Sequence, residues 1–406
     1  MAKQIIAVLE IGTSNTVALV GEAAEGGRAR VLGCGVARTA GVRKGIINEM
    51  KQAQSGVETA IKQAEDAAGV SLGEVLLLAF SGAHITVSAG EGRLPVRAVD
   101  GKVTRDDLDE LRSLACENRP GEGRVIMDAL PQLFRLDDLD GIVNPEGMSG
   151  KQLRLGMLFV HGQHDRVEDA VNLLKGLALD TRGFVFSALA AATSALTPEQ
   201  RNHGVVLIDL GGGTTNYVVF VRNVPIAAGS FGVGGDHVTN DIAQAFGIPI
   251  NQAEEIKLRE GCAVIDPQRS GRRLELPPTV VATAVRSISV RALHTVMEAR
   301  MRETLGLVRD QIGPELRQVG AGVVFTGGGA YMPRLDELAE RVFGMGSRIG
   351  EPQAQYIEGL QHERLRPAAL ATVAGLLISG VKSQEDDNPM RSVRGWLEKL
   401  TGGARR

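Results

Sequence analysis

Two segments of the chain, about 200 residues apart, share one pattern of apolar and polar positions. In each, a short aliphatic run ends at a carboxylate, glycine and hydroxyl residues follow, and a second apolar run comes next. The segments are residues 8–20 and 208–221. Each pattern predicts a β-hairpin with a tight turn, because glycine tolerates the backbone angles of such turns. Their repetition indicates that the chain consists of two duplicated α/β halves.

Around these segments, runs of β-branched residues predict strands and amphipathic stretches predict helices. The predicted strands of the first half are residues 31–36, 75–80, 85–89, 125–129, 153–160 and 184–186. Its predicted helices are residues 51–68, 105–117, 166–177 and 188–196. Short strands and loops fill residues 83–162, a texture typical of a compact α+β module inserted into the first half.

The second half follows a polar break at residues 198–204, where no helix or strand is predicted. Helical patterns occur at residues 238–246, 252–260, 285–307 and 368–381. Residues 271–278 are predicted to be a loop. Residues 323–333 predict a strand, a triple-glycine turn and then a helix from about Arg334. The alternation of strands and helices in two halves predicts an α/β, two-lobed fold whose ligand occupies the cleft between the lobes.

Composition narrows the class of protein. The 406 residues are 43% hydrophobic, enough for two or three domains with substantial cores. A net charge of −3 argues against nucleic acid as a general partner. The three cysteines are far apart and predict buried, reduced thiols in a cytosolic protein. The N-terminus leads directly into a strand, which argues against a signal peptide, and no apolar stretch reaches the length of a membrane span.

The paired turns also carry the candidate chemistry. Glycine-rich turns offer backbone N–H groups to an anion, and the Ser and Thr hydroxyls beside them add further donors. The carboxylate at the end of each first strand, Glu10 or Asp209, is suited to a hydrated Mg²⁺ next to that anion. At the triple glycine near residue 328, backbone can approach a ligand closely because no Cβ intervenes. Together these features predict a nucleotide clamp.

The C-terminal tail has a different character. Residues 382–388 are polar and predict a flexible linker, and Asn388 and Pro389 suit the start of a final helix. One face of that helix would be apolar and the opposite face basic, with a net charge of +4 from Pro389 onward. These properties favour binding to an anionic bilayer; the alternative is a helix docked on the protein itself or in a partner's groove. A single tail would bind weakly, so several tails on one assembly are expected to act together.

These residues resemble the actin, Hsp70 and sugar-kinase superfamily, and within it the FtsA family of bacterial cell-division proteins. The similar segments extend over nearly the whole chain: residues 10–15, 81–84, 144–150, 209–215, 253–262, 326–333 and the basic tail. The first hairpin alone fits the entire superfamily. The module that follows Gly82, together with the tail, is what resembles the FtsA family specifically.

The resemblance implies that the cleft binds ATP and Mg²⁺. The residues implied to hold the phosphates are Gly12, Thr13, Ser14, Asn15, Gly211, Gly212, Gly213, Thr214 and Thr215. Those implied around the ribose and adenine are Gly235, Glu254, Lys257, Gly328, Gly329 and Met332. Asp209, with Glu10 across from it, would order the Mg²⁺ shell. The resemblance assigns no catalytic residue.

The resemblance further implies an actin-like fold of two RNase H-like halves, an inserted α+β subdomain and a C-terminal amphipathic helix. The implied divisions are subdomain 1A (1–82, 163–197 and 364–381), subdomain 1C (83–162), subdomain 2A (198–232 and 305–363), subdomain 2B (233–304), the linker (382–388) and the membrane-targeting helix (389–406). The membrane-binding residues of that helix would be Met390, Arg391, Val393, Arg394, Trp396, Leu397, Lys399 and Leu400.

FtsA-like proteins polymerise at the inner face of the cytoplasmic membrane, attach the FtsZ ring to it and recruit later division proteins. The resemblance therefore implies a peripheral membrane protein at the septum. Its partners would be anionic lipid, other copies of itself, the FtsZ C-terminal peptide, and later division proteins bound through subdomain 1C. Arg286 and Arg300 are the candidates for meeting acidic residues of FtsZ.

Two departures from the family pattern bear on chemistry. Many members have lysine where this chain has Asn15, and residues 187–196 contain no Asp or Glu to orient an attacking water. We therefore expect slow or negligible ATP hydrolysis and a role for ATP as a switch. Two alternatives remain at this point: a PilM-like ATP-binding platform of type IV pili, and a small-molecule kinase of the same superfamily.

Overall fold

The structure is a computed structural model that describes residues 4–276 and 286–385. The first half opens with strands and one helix, in chain order β1 (Ile6–Ile11), β2 (Asn15–Ala23), β3 (Ala29–Arg38), β4 (Val42–Arg43), β5 (Ile46–Ile47), α1 (Met50–Ala68) and β6 (Glu74–Phe80). An inserted module follows, with β7 (Thr86–Pro95), α2 (Arg105–Glu117), β8 (Arg124–Leu136), β9 (Leu139–Ile142) and β10 (Gln152–Gln163). The first half ends with α3 (His164–Gly176), β11 (Asp180–Phe186) and α4 (Ser187–Ala195).

A short helix connects the halves, α5 (Pro198–His203). The second half begins with β12 (Val205–Leu210), β13 (Thr215–Val221), β14 (Val224–Phe231), α6 (Gly235–Phe246), α7 (Ile250–Glu260), β15 (Arg273–Leu276) and β16 (Arg286–Ser289). It continues with α8 (Val290–Ile312), β17 (Val323–Thr326), α9 (Leu335–Phe343), β18 (Ser347–Ile349), β19 (Ile357–Glu358) and α10 (Ala371–Glu385). No helix among the described residues is long and apolar enough to span a bilayer.

The two large sheets have equivalent topologies. Sheet 1 has the strand order β11-β6-β1-β2-β3-β19, and sheet 2 has the order β14-β13-β12-β17-β18. In each sheet, three consecutive strands form an antiparallel meander (β1-β2-β3 or β12-β13-β14). Two later strands then extend the sheet in parallel, beside the first strand of the meander. This equivalence confirms the predicted duplication into two α/β halves.

Helices cover the sheets and join the two halves through one core. Helices α1 and α3 pack on one face of sheet 1, and α10 packs on the other. Helix α4 contacts strands of both halves with buried alanines such as Ala188 and Ala192. Helix α10 crosses α4 so closely that a Cβ built on Gly375 would overlap the carbonyl oxygen of Ala190. Helices α6, α8 and α9 enclose the separate core of sheet 2.

The inserted module is an antiparallel sheet, in the order β7-β10-β8-β9, with α2 packed on it around a core of its own. Helix α2 has the bounds that the sequence predicts, because Thr104 and Asp107 form a reciprocal cap. The Thr104 N–H donates to Asp107 Oδ2 at 2.8 Å, and the Asp107 N–H donates to Thr104 Oγ1 at 3.2 Å. The predicted α+β insertion is confirmed.

Three local predictions are wrong. The polar break at residues 198–204 contains helix α5, which has a Thr197–Gln200 capping box and Pro198 at its first turn. The predicted loop at 271–278 includes strand β15, which pairs with β16. The helix predicted to begin at residue 285 begins at Val290 instead, because residues 286–289 are occupied by that pairing.

At the C-terminal side, α10 continues to Glu385, so the first four residues of the predicted linker, 382–385, are helical. The predicted membrane-binding residues, Met390, Arg391, Val393, Arg394, Trp396, Leu397, Lys399 and Leu400, lie outside the described residues. Of the three cysteines, Cys116 and Cys262 are buried as predicted, whereas Cys34 is partly exposed.

Candidate functional site

The two repeated turns close in the same way. In the turn between β1 and β2, the Gly12 N–H donates to the Asn15 carbonyl at 3.1 Å. In the turn between β12 and β13, the Gly211 N–H donates to the Thr214 carbonyl at 2.9 Å. The residues between these bonds, glycines and hydroxyl side chains, therefore occupy the tips of two equivalent hairpins.

The hairpin tips face each other and are in contact. A Cβ built on Gly212 would overlap Ser14 Oγ, and one built on Gly213 would lie 2.5 Å from Thr13 Oγ1. The Gly45 N–H donates to Thr13 Oγ1 at 3.2 Å, which fixes the first tip from the loop after β4. The structure thus brings the two predicted phosphate-binding turns together from opposite halves, with only glycine small enough at positions 212 and 213.

Glu10 and Asp209 lie at the base of these turns and interact electrostatically. Burial raises the pKa of the Glu10 carboxyl to about 8, and the nearby charge of Asp209 adds to the shift. Burial also raises the pKa of Asp209, although two hydrogen bonds oppose that effect. Asn216 Nδ2 donates to Asp209 Oδ2 at 3.2 Å, and Thr326 Oγ1 donates to Oδ1 at 3.3 Å. The two neighbouring carboxyl groups form a pair of oxygen donors whose charged forms a divalent cation would stabilise.

The glycine turn before α6 packs directly on the second hairpin. The Gly235 N–H donates to the Gly211 carbonyl at 3.0 Å, and the Asp236 N–H donates to the Gly212 carbonyl at 2.8 Å. Lys257 Nζ in turn donates to the Gly235 carbonyl at 3.2 Å. The predicted residues Gly235 and Lys257 are therefore adjacent, and both are connected to the second hairpin turn.

Glu254 completes this group. Its Oε2 lies 2.7 Å from Lys257 Nζ, one helical turn away on α7, as the sequence predicts. Thr239 on α6 bonds to both side chains, and its Oγ1 lies 2.8 Å from Lys257 Nζ. Lys257 is mostly buried, whereas Glu254 retains partial exposure. The pair therefore tethers α7 to the N-terminal turn of α6 beside the cleft.

The third glycine segment lies behind Asp209. Gly327 has φ +81°, a conformation that favours glycine, and its N–H donates to the Ala368 carbonyl at 2.9 Å. A Cβ on Gly329 would lie 2.8 Å from Leu210 Cβ, whereas one on Gly328 would meet open space. Met332 is partly exposed just after the single turn of 3₁₀ helix at Gly328–Tyr331. Backbone at Gly328 is thus accessible at the end of β12.

The two arginines predicted to bind a partner lie on different elements. The backbone of Arg286 belongs to strand β16, rather than to the predicted helix. Arg300 lies on α8, and its Nε and Nη2 form a forked ion pair with Asp241 at 2.6 and 3.1 Å. Arg300 Nη1 also contacts Glu303 at 2.7 Å. Arg300 is therefore already paired within the chain.

Several residues of the site were missed from the sequence. Asn216, Thr326 and Asp236 contact the predicted turns or carboxylates, but none was predicted as a site residue. Asn216 had a usable signal, because it is directly opposite Asp209 in the hairpin register. Thr326 is 117 residues from Asp209, and the proximity of the two follows only from the parallel pairing of β12 and β17.

Two duplicated halves with facing glycine turns and an α+β insertion define a protein of the actin-like class. The "Cell division protein FtsA" family model matches residues 206–375, and the model of the "SHS2 domain inserted in FTSA" matches residues 82–161. The FtsA of Escherichia coli K12 is 32% identical over 419 aligned positions, which cover 100% of this chain and 98% of that protein. The chain belongs to the FtsA family and is an actin-like cell-division protein.

Solved structures agree on the fold. The chain is similar to a structure of the PilM-PilN type IV pilus biogenesis complex, with a TM-score of 0.61 and 17% identity, covering 93% of this chain and 98% of that one. It is also similar to MreB5 of Spiroplasma citri bound to ADP, with a TM-score of 0.53 and 15% identity, covering 94% and 99%. At these identities the likeness concerns the fold alone. Family membership therefore favours the cell-division role over the pilus platform and the small-molecule kinase.

Proposed function

We propose that this FtsA-family protein binds ATP and Mg²⁺ between its two hairpin turns and acts as a nucleotide-controlled, membrane-bound polymer. The observation that carries the proposal is the contact between the two equivalent turns, with Glu10 and Asp209 together at their base. Backbone N–H groups and hydroxyls of Gly12–Asn15 and Gly211–Thr215 are the donors that phosphates require. Since the turns come from opposite halves, a ligand held by both controls how the halves close.

The donor set around Asp209 fits a hydrated Mg²⁺. Magnesium prefers oxygen ligands and usually retains several waters, so two carboxylates are sufficient to hold it beside phosphates. Asn216 and Thr326 orient the Asp209 carboxylate through its two oxygens, while Glu10 approaches from the other half. The bound cation would neutralise the repulsion between the two carboxylates and polarise the phosphate oxygens.

The nucleoside would extend toward Gly235, Glu254 and Lys257 on one side and Gly328, Gly329 and Met332 on the other. Glu254 is partly exposed and offers a carboxylate to ribose hydroxyls, while Lys257 holds it in place at 2.7 Å. The open space beside Gly328 allows a planar base to approach the backbone.

Hydrolysis is expected to be slow. Helix α4 follows β11 in the position where a carboxylate could orient the attacking water, but its sequence from Ser187 to Ala195 contains none. The Ser187 hydroxyl donates to the Phe80 carbonyl at 2.9 Å and is buried, so it offers no substitute. ATP would then act mainly by holding the lobes closed.

The basic C-terminal tail supplies the proposed membrane contact. Other copies of the chain and later division proteins would bind to the folded body, the latter through subdomain 1C. Each tail contributes a few apolar side chains and a net positive charge, so its binding to anionic lipid is weak and reversible. Polymerisation places many tails on one surface and raises the avidity. The nucleotide state would thereby control attachment of the FtsZ ring to the inner face of the membrane.

The experiment is co-sedimentation with anionic liposomes in the presence of ATP–Mg²⁺, ADP–Mg²⁺ or EDTA. We expect wild type to sediment most with ATP–Mg²⁺, Asp209→Asn to lose that nucleotide dependence, and Trp396→Glu to stay in the supernatant. Trp396→Phe is the matched control, because it keeps the apolar face. Equal sedimentation of wild type and Trp396→Glu would contradict the membrane proposal, and equal sedimentation in all three solutions would contradict the nucleotide switch.

The FtsZ contact has a separate test. Fluorescence anisotropy of a labelled FtsZ C-terminal peptide should show weaker binding to Arg300→Gln than to Arg309→Gln, an exposed arginine further along the same helix. Because Arg300 pairs with Asp241, the thermal midpoint of both variants must be measured beside the binding. Unchanged peptide affinity in a folded Arg300→Gln would move the predicted contact elsewhere.

A further inference from the structure

The cleft is rich in carboxyl groups. Glu10, Asp209 and Asp236 all lie against the two hairpin turns, and the turns themselves, Gly12–Asn15 and Gly211–Thr215, contain no lysine or arginine. A triphosphate brought to this place carries several further negative charges, of which Mg²⁺ neutralises only part. A cationic side chain from outside the turns would complete the site. Lys257 lies beside the second turn, but its ammonium group is already bonded to Glu254, Thr239 and the Gly235 carbonyl.

Arg38 is connected to the first turn through the pairing of β2 with β3. It is the last residue of β3 and is paired with Asn15, the closing residue of that turn, in the antiparallel register. Side chains at paired positions of antiparallel strands point to the same face of the sheet and lie next to each other. The neighbouring pair, Thr16 and Ala37, points to the opposite, buried face. Arg38 and Asn15 therefore share the face that leads out of the core.

The backbone around Arg38 is fixed to the turn. The Thr39 N–H donates to the Ser14 carbonyl at 3.0 Å, and the Thr39 hydroxyl lies 2.8 Å from that of Thr16. Among the described residues the Arg38 guanidinium has neither a hydrogen-bond nor an ion-pair partner, and its side chain is exposed. A rigid backbone with an uncommitted guanidinium is suited to an anionic ligand, because no existing pair must be broken.

The charge of Arg38 also reaches the second turn. Burial raises the pKa of Asp236, and the charges of Lys257, His237 and Arg38 oppose that shift, Arg38 the least of the three. A Cβ built on Gly212 would lie 3.4 Å from Asp236 Oδ1, so that carboxylate is next to the tip of the second hairpin. Arg38 thus belongs to the first half by its backbone and acts electrostatically at the point where the two turns meet.

Lys44 is the competing cation in this region. It has φ +54°, and its stem packs over Gly232, where a Cβ would lie 3.3 Å from Lys44 Cδ. Burial lowers the pKa of His237 in the first turn of α6, and the charge of Lys44 adds to that shift. Lys44 therefore covers the turn before α6, whereas Arg38 is paired with the turn that is to hold the phosphates.

We propose that Arg38, which lies beside Asn15 on the neighbouring strand, is the cation that faces the phosphates in this cleft. This inference rests on the proposed ATP site. It makes the cation a residue of β3 rather than of the turn, so a positive charge at position 15 and one at position 38 should substitute for each other.

Isothermal titration calorimetry of the full chain with ATP and with AMP, each with Mg²⁺, tests this. Arg38→Gln should weaken ATP binding about tenfold or more, the usual effect of losing a charged phosphate contact, and change AMP binding less than about twofold. The control Arg182→Gln removes an arginine from β11, at the far edge of the same sheet, and should change neither affinity. The double variant Asn15→Lys/Arg38→Gln should regain most of the ATP affinity.

Other outcomes distinguish the two levels of the proposal. If wild type and Arg38→Gln bind ATP equally well, or if Lys44→Gln alone loses affinity for ATP over AMP, the assignment of Arg38 is wrong and the ATP site stands. Failure of the double variant to recover, while its circular dichroism and thermal midpoint match those of Arg38→Gln, also overturns the assignment. If wild type binds neither nucleotide, the ATP site and this inference fail together.

Discussion

The Glu10 carboxyl is the residue whose ionisation most clearly reports the state of the cleft. Its pKa is about 8 in the folded protein and close to 4.5 in an unfolded chain, since burial and Asp209 disfavour the charged form. The folded protein therefore holds this proton more tightly than the unfolded chain does. Between pH 4.5 and 8 the contribution of Glu10 to the free energy of unfolding must fall as pH rises.

We predict that Glu10→Gln is more stabilising at pH 8.5 than at pH 5.5 in magnesium-free buffer. Glutamine keeps the shape of the protonated carboxyl and cannot ionise, so the variant does not lose the stability that wild type loses at this position above pH 5.5. Denaturant titrations of both proteins at both pH values measure the free energy of unfolding. The difference between variant and wild type at each pH removes the contributions of the other titrating groups. A difference that is equal at the two pH values would contradict the raised pKa of Glu10.

At this scale the sequence was informative about residues within each turn and uninformative about residues that support them. Glu10, Asp209 and the glycines follow from a repeated local pattern. Thr326 and Asp236 become site residues only because sheet 2 and the turn before α6 bring distant segments together. The chemistry of the turns is local, whereas the orientation of Asp209 depends on tertiary structure.

At the scale of elements, the close crossing of α4 and α10 depends on a single glycine, Gly375. A Cβ on Gly375 would overlap the Ala190 carbonyl oxygen, which belongs to backbone and cannot rotate away. In contrast, a Cβ on Gly306 of α8 would meet nothing within 4 Å. Both glycines lie inside helices. Replacing each with alanine therefore compares the cost of overpacking at Gly375 with the gain in helix propensity at Gly306.

We predict that Gly375→Ala destabilises the protein by about 1–3 kcal/mol, the usual cost of overpacking. Gly306→Ala should instead stabilise it by about 0.5–1 kcal/mol, because alanine is the better helix former. Chemical denaturation of the two variants against wild type provides the measurement. Stabilisation by both alanines would mean that α10 can move away from α4, contrary to the packing described.

Elements with strong local patterns were predictable, and those that depend on a distant partner were not. The two hairpins, α1 and α2 were predicted to within a few residues. Strand β15 was missed because it exists by pairing with β16, ten residues away along the chain. Helix α5 differs from β15, because Thr197, Pro198 and Gln200 form a helix start that is local in the sequence.

For the whole molecule, the inserted module contacts the second half as well as its own half. Gln132 Nε2 on β8 donates to the Pro225 carbonyl at 2.7 Å, and Arg222 Nη1 donates to the Gly141 carbonyl at 2.8 Å. The module therefore belongs to the first half by chain connection and rests on the β13–β14 hairpin of the second. Any movement between the halves must alter these contacts.

Ser230 extends this connection to the carboxylate pair. Its hydroxyl lies 2.7 Å from Asn216 Oδ1 and accepts a hydrogen bond from the Gly82 N–H at 3.2 Å. Asn216 itself donates to Asp209, so hydrogen bonds run from the proposed Mg²⁺ ligand to Gly82, where the module begins. With φ +142°, Gly82 adopts a conformation that favours glycine.

We predict that Ser230→Ala weakens the response of the module to nucleotide. In wild type, ATP–Mg²⁺ should slow amide hydrogen exchange at residues 82–85; in Ser230→Ala exchange there should be faster and less dependent on ATP. Ser113→Ala, an exposed hydroxyl on α2, serves as the control. An unchanged ATP effect in Ser230→Ala would show that the junction is held by other contacts.

The contact between the hairpin tips has a kinetic consequence. Because the two tips meet at Gly212 and Ser14, the nucleotide of the proposed site would exchange through a movement that separates the halves. The residence time of the nucleotide would then depend on the frequency of that opening. Any neighbour that restrains the two halves, whether another copy of the chain or a protein bound to the module, would prolong that residence time without touching the nucleotide.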